Sequence, residues 1–392
     1  MSAARIALAA GFALSLASPL SAAEVHSGFV VTLGRDTTGI ERVTRSATSL
    51  EVEQVTRAPR VLKRHYVYQL DKQGSIRDFS IVITAPGAAP GAPPVQQIDG
   101  KRTRDSVITE VRSGANVRTV RVAVPDDGVL VSASSPFPTY EQAMIRLARS
   151  KRDSLRTMMW FIGSANADWI SLHRLGRDSM SVLTYHEDQF HMHTDAAGRL
   201  LGALPIAGTG KYAAARVTNL DLEGITAAWV AAEKAAGAMG SLSVRDTVKA
   251  TAGGAALWVD YGRPSKRGRV VYGGVVPYGE LWRTGANAAT QFRTDRALDF
   301  EGAVLQPGTY TLWTLPTSGG WKLVVNSETG QWGTEHKPDK DMLKLDMKVE
   351  ALPEAVERFT ISIEPVIDGG ELRLDWDTTR ASVRFRVATA TN

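Results

Sequence analysis

Leu343-Lys344-Leu345-Asp346-Met347-Lys348-Val349-Glu350 alternates apolar and charged side chains without a break. Successive side chains of an extended strand point to opposite faces, so this run sends four apolar groups to a core and four charges to water. A helix would scatter both sets around its surface. The period of two recurs at Phe359, Ile361 and Ile363, at Leu372, Leu374 and Trp376, and at Val383, Phe385 and Val387. Such strands at short spacing, joined by turns such as Gln306-Pro307-Gly308-Thr309, predict an antiparallel β-sandwich or barrel.

Upstream the pattern changes. Gly237-Ala238-Met239-Gly240-Ser241 is dominated by small residues and predicts a boundary between a domain at 24–236 and a second at 242–392. In the first, Val61–Leu70 and Ser75–Thr84 flank Asp71-Lys72-Gln73-Gly74, and Gln189–Thr194 and Arg199–Leu204 flank Asp195-Ala196-Ala197-Gly198. Both read as hairpins with glycine at the positive-φ position. Ala85–Pro94, with four prolines, cannot pair as a strand. Two helices are expected, at Thr139–Lys151 and at Leu222–Ala236 with Asp221 as N-cap. The fold class is therefore mainly β: an α+β antiparallel meander, then a sandwich.

The chain of 392 residues is too long for one ordinary domain, and 35 Gly and 17 Pro exclude a helical bundle. No cysteine is present, which excludes disulfides, thiol catalysis and Cys-ligated metals. Residues 1–23 read as a secretory signal: Arg5, the apolar Ile6–Ala17, then Ser21-Ala22-Ala23. That predicts a periplasmic or secreted protein. Without Arg5 the net charge falls from +5 to +4, and the basic residues form no block, so nucleic acid is not an expected partner. No later run reaches about 18 apolar residues, so no integral membrane segment is expected after cleavage.

The second half carries ordered motifs: DYGRPSKRGRVVYGGVVPYGELWRTGANAAT at Asp260–Thr290, QPGTYTLWTLP at Gln306–Pro316, WKLVVNSETGQWGT at Trp321–Thr334, FTISI at Phe359–Ile363 and LDWDTTRASV at Leu374–Val383. About residues 241–388 resemble the bacterial domain-of-unknown-function family numbered 2911. The resemblance implies an envelope-associated or secreted, β-rich domain and carries no established reaction. His336 stands where the family implies an aromatic.

Two segments of this half break the strand alternation. Trp282-Arg283-Thr284-Gly285-Ala286-Asn287 gathers an aromatic, a guanidinium and an amide in a turn, and Arg263, Arg267 and Arg269 lie in another loop. Arg263, Trp282, Arg283 and Asn287 are the ligand-binding candidates, because forked guanidinium donors and a flat indole suit a glycan or anionic small molecule. The architectural alternative has Arg capping carbonyls, Trp in the core and Asn at positive φ. Trp313 is set apart, since Tyr310 and Leu312 point to the opposite face of its strand.

In the first half, His191, His193 and Asp195 fall on one strand face and offer a divalent-metal set, the one cofactor the sequence raises. Asp195 also has to start its turn, and exposed histidines on an outer strand are the plainer reading. H-E-x-x-H fails at His186, since Phe190 stands at the fourth position. Gly208-Thr209-Gly210-Lys211-Tyr212 lacks the spacing of a phosphate loop and reads as a turn. There is no nucleophile elbow. The leading expectation is a non-catalytic binding or structural module of the cell envelope. The alternatives are an envelope-glycan hydrolase using Asp260 and Glu280, and an apolar-ligand carrier with a cavity near Met158, Met159, Trp160 and Phe161.

Overall fold

The computed structural model describes residues 25–388 except Pro90, 125–129, 133–135, 161–162, 164–166 and His186. The expected leader at 1–23, together with Phe161 and His186, lies outside the described residues.

Among the described residues, fifteen strands between Val25 and Val217 form one sheet. Eight run as a meander from Val25–Leu33 to Asn116–Ala123, and six more from Ser154–Trp160 to Ala213–Val217. The first strand pairs antiparallel with the last, Val30 opposite Ala215, and so joins the two meanders. Leu130–Ser132 adds a parallel edge beside Ser154–Trp160. Both expected hairpins form. Asp71 Oδ1 accepts from the amides of Gln73 and Ser75, Asp195 Oδ1 from those of Ala197 and Arg199, and Gly74 and Gly198 take φ of +79° and +80°. An aspartate that bridges its own turn leaves glycine as the residue able to close it without a Cβ clash.

Helix α1 (Pro136–Arg149) closes the inner face of this sheet. Its apolar stripe of Phe137, Tyr140, Met144 and Leu147 joins one core with strands of both meanders, among them Phe29, Tyr66 and Val107 from one and Ile170 and Met192 from the other. Buried Glu141 anchors it, pairing with Arg45 at 3.1 Å and with Arg216. Helix α2 (Leu222–Ala236) lies on the outer face, where Leu222 packs with Ile40, Val55 and Val61. Asp221 caps it as expected, accepting from Gly224 N at 2.9 Å.

Nine strands between Ser243 and Val387 build the antiparallel sandwich around a separate core. Asp341–Val366 pairs with Gly320–Asn326 at its start and with Gly369–Val387 along its length. Register shifts between Ala351 and Thr360 bend this hairpin, as bulges do. Leu345, Met347, Phe359, Ile361, Ile363, Leu372, Leu374 and Trp376 are buried as the alternation requires. Val349 is 42% exposed, because the strand is already leaving the core where the register breaks.

The halves touch where the Gly34-Arg35 turn meets the loop after Pro264. Arg35 N donates to Arg267 O at 3.0 Å, and Arg267 Nη1 pairs with Asp36 at 2.5 Å. Gly240 N donates to Pro59 O at 2.8 Å and holds the connecting segment to the first half.

Candidate functional site

A cleft of about 1170 Å³ lies between the halves. The first half contributes Asp188, Lys211 and the rings of Tyr140 and Phe190, and the second contributes Arg283, Glu280, Trp313, Trp332 and His336.

The 282–287 loop is held from several sides. Trp282 and Thr314 exchange two backbone hydrogen bonds of 2.8 Å, and their neighbourhood is closed by Thr284 Oγ1 against Thr314 Oγ1 at 2.7 Å. Thr290 Oγ1 donates to Thr284 O at 2.6 Å. Thr284 and Asn287 both take positive φ, 52° and 64°, conformations that leave the next side chain turned out of the strand pattern. The result projects Arg283 sideways against Gly333 and into the cleft.

Arg283 is half-buried, and its Nε is enclosed with no hydrogen-bond partner. Burial pulls its pKa down to about 10, opposed by the charge of Asp188, so it remains a cation at neutral pH. Lys211 is lowered by burial and then by Arg283, with Asp188 and Glu280 opposing. Asp188 bears on both by its charge alone: no hydrogen bond joins it to either cation, and its Oδ1 accepts from Thr209 N, Thr209 Oγ1 and Gly210 N. Two desolvated cations therefore face one cleft from the two halves, beside a carboxylate that also holds the Gly208–Lys211 turn. Cations kept from water without a full complement of acceptors favour an incoming anion.

The aromatic wall follows from strand parity. Tyr310 and Leu312 enter the sandwich core, whereas Trp313 turns to the other face with Ala289, Val324 and Leu281. It is 2% exposed, its Nε1 donating to Thr311 Oγ1 at 3.1 Å. His336 stands edge-on to it at 5.0 Å and bonds Asp341 Oδ1 at 2.7 Å.

The four ligand candidates thus divide. Arg283 and Asn287 line the cleft, Asn287 exposed and Arg283 with donor capacity free. Trp282 touches it only as the edge of the core: it is 7% exposed, stacks on Trp376 at 5.8 Å, and its Nε1 donates to Gly285 O at 3.0 Å. Arg263 belongs to the strand Ala255–Pro264 and not to the expected loop, lies outside the lining, and ties strands together through Phe359 O at 3.1 Å, Asp246 at 2.8 Å and Thr360 Oγ1 at 2.9 Å. Of the two carboxylates considered for hydrolysis, Glu280 lines the cleft, while Asp260 is held by Arg245 at 2.7 Å outside the lining. His191 and His193 are exposed on the outer face of Gln189–Thr194, and Asp195 bridges its turn. Among the described residues, no three His, Asp or Glu side chains are grouped as a metal ion requires.

Of the residues proposed to line a carrier cavity, Met159 borders the cleft, and Trp160 is core, 5.1 Å from Phe79. Asp188 and Lys211 were not anticipated as site residues. Their signal was the Gly208–Tyr212 motif, which is a turn, but one wrapped on Asp188 at the cleft's edge.

Among the described residues, no helix is long and apolar enough to cross a membrane. The curated proteins contain no match to the chain. Among solved structures, a DUF1089-family protein of Pseudomonas aeruginosa is similar at 11% identity and a TM-score of 0.32, over 43% of this chain and 90% of that one. No family matches the amino-terminal half. Residues 243–385, the segment that carries the loop of Arg283 and the strands around it, match the family described as "Protein of unknown function (DUF2911)".

Proposed function

We propose that the protein is a non-catalytic binding module of the cell envelope, secreted or periplasmic, which takes an anionic ligand in the cleft between its halves. The observation that carries this reading is Arg283, a desolvated guanidinium with an unpartnered Nε beside a second desolvated cation, Lys211. A charge-assisted hydrogen bond contributes about 1.5–3 kcal/mol, enough to select an anion over its neutral analogue by tenfold or more. Trp332, half-buried at the cleft, supplies flat surface for the rest of the ligand.

The test is calorimetric titration with two anionic probes, a glucuronate tetrasaccharide and decanesulfonate, each beside a neutral counterpart. At least one anion binds, its neutral counterpart binds tenfold or more weakly, and Arg283→Ala weakens the anion to a similar degree. Binding of neither anion, or binding indifferent to both Arg283→Ala and Lys211→Ala, contradicts the reading.

A further inference from the structure

The cleft has a second chamber. A pocket of about 270 Å³ lies between α1 and the inner faces of the first strands, walled by Val31, Gly39, Phe137 and other side chains. Tyr140, Phe190, Tyr212 and Leu242 line both it and the main cleft, so the two spaces adjoin with these four side chains between them. The polar groups of its wall are largely engaged with one another. Tyr66 Oη donates to Gln54 Oε1 at 3.1 Å, which turns Gln54 Nε2 to donate to Glu41 Oε1 at 2.7 Å. What remains for a guest is mainly apolar and aromatic surface, with Glu41 Oε2 buried there without a hydrogen-bond partner, and among the described residues no cation lines the pocket. Gly39 holds part of this space open: a Cβ there would meet nothing closer than 3.6 Å, and the residue sits in a strand at ordinary φ.

We infer that the ligand is an anionic amphiphile, with its charged group on Arg283 and Lys211 and an unbranched apolar chain running past Tyr140 and Phe190 into the inner pocket. The inference rests on the anion-binding reading and adds the second half of the molecule to it. An anionic glycan would use the outer cleft alone, because the inner pocket offers its hydroxyls few free partners. A chain in the pocket loses about one methylene's worth of water contact per carbon, which multiplies affinity about fourfold each time.

The experiment compares methane-, hexane-, octane- and decanesulfonate, whose charge is the same at every usable pH. The wild-type protein is expected to bind the longer members progressively more tightly, by about fourfold per methylene over part of the series. Gly39→Leu fills the pocket without touching Arg283, and Val31→Phe fills it from the neighbouring strand. Either variant is expected to flatten the gain at the long end, lowering decanesulfonate affinity by thirtyfold or more, and to leave methanesulfonate unchanged. Chain-length dependence that survives both substitutions overturns the inference, as does a wild-type protein that binds decanesulfonate no better than methanesulfonate. In those cases Arg283-dependent binding of the glucuronate tetrasaccharide would keep the anion site and assign it to a glycan. Loss of every Arg283-dependent interaction would instead remove the anion site itself.

Discussion

Gly333 lies directly against Arg283: a Cβ at Gly333 would fall 1.9 Å from Arg283 Cδ and 2.2 Å from Asn287 O. Gly333 N also donates to Asn287 O at 3.0 Å. The glycine of Gln331-Trp332-Gly333-Thr334 is therefore the seat of the arginine, which ties two separate loops to one side chain. Gly333→Ala is expected to displace Arg283 and the 287 backbone. Overpacking of this kind costs about 1–3 kcal/mol, read by urea unfolding, and anion affinity should fall with it.

Arg263 and Arg283 should respond in opposite ways. Arg263→Ala removes one partly exposed ion pair and two hydrogen bonds, and is expected to cost about 1–2 kcal/mol with anion binding unchanged. Arg283→Met keeps volume and removes a desolvated charge, so stability should hold within about 0.5 kcal/mol or rise, while anion binding is lost. Unfolding curves and titrations of both variants check the pair.

Glu41 gives the protein a pH signature. It is wholly buried, and burial pushes its pKa from 4.5 up to about 7 against the hydrogen bond from Gln54. Its neighbours are Gln54 across the strand pair, Tyr66, and across the pocket Tyr140 and Tyr212, whose phenols burial raises and keeps neutral. Arg216, over Phe29, is occupied by Glu141. The folded state thus holds the proton more tightly than the unfolded chain. The stability this contributes is complete below about pH 4.5 and is lost as pH rises through about 7, on the order of 3 kcal/mol in all. Glu41→Gln should flatten that slope in urea unfolding between pH 5 and about 8. Decanesulfonate should bind more weakly above about pH 7 in the wild type and not in the variant, since an apolar chain disfavours the ionised carboxylate in the wall.

The separate cores argue that residues 242–392 fold without the rest. The expressed fragment should unfold in one cooperative transition. In the full chain, Arg267→Ala removes the pair with Asp36 and should loosen the halves and lower anion affinity. A fragment that stays unfolded would contradict the expected boundary.

Strand periodicity made the sandwich legible, because one face of each strand had to be apolar: Phe359 to Ile363 and Leu372 to Trp376 are buried as their parity requires. The Asp71 and Asp195 turns were legible because their chemistry is local. The closure of the large sheet was not, since the pairing of Val30 with Ala215 is set by a core shared among distant strands. The site was half legible. Arg283 broke the alternation and drew notice, whereas Arg263 broke it too and proves to be a strut between strands. Asp188 and Lys211 meet Arg283 only through the docking of the halves, which no local pattern encodes.

The central claim is that the Arg283 guanidinium receives an anion, and the resonance of its enclosed, unpartnered Nε–H reports a change there most directly. In protein labelled at arginine nitrogen, titration with decanesulfonate should shift the Arg283 Nε–H signal, assigned by its loss in Arg283→Ala. The Arg263 signal, already bonded to Phe359 O, should stay in place. A stationary Arg283 signal at saturating decanesulfonate and glucuronate would contradict the account.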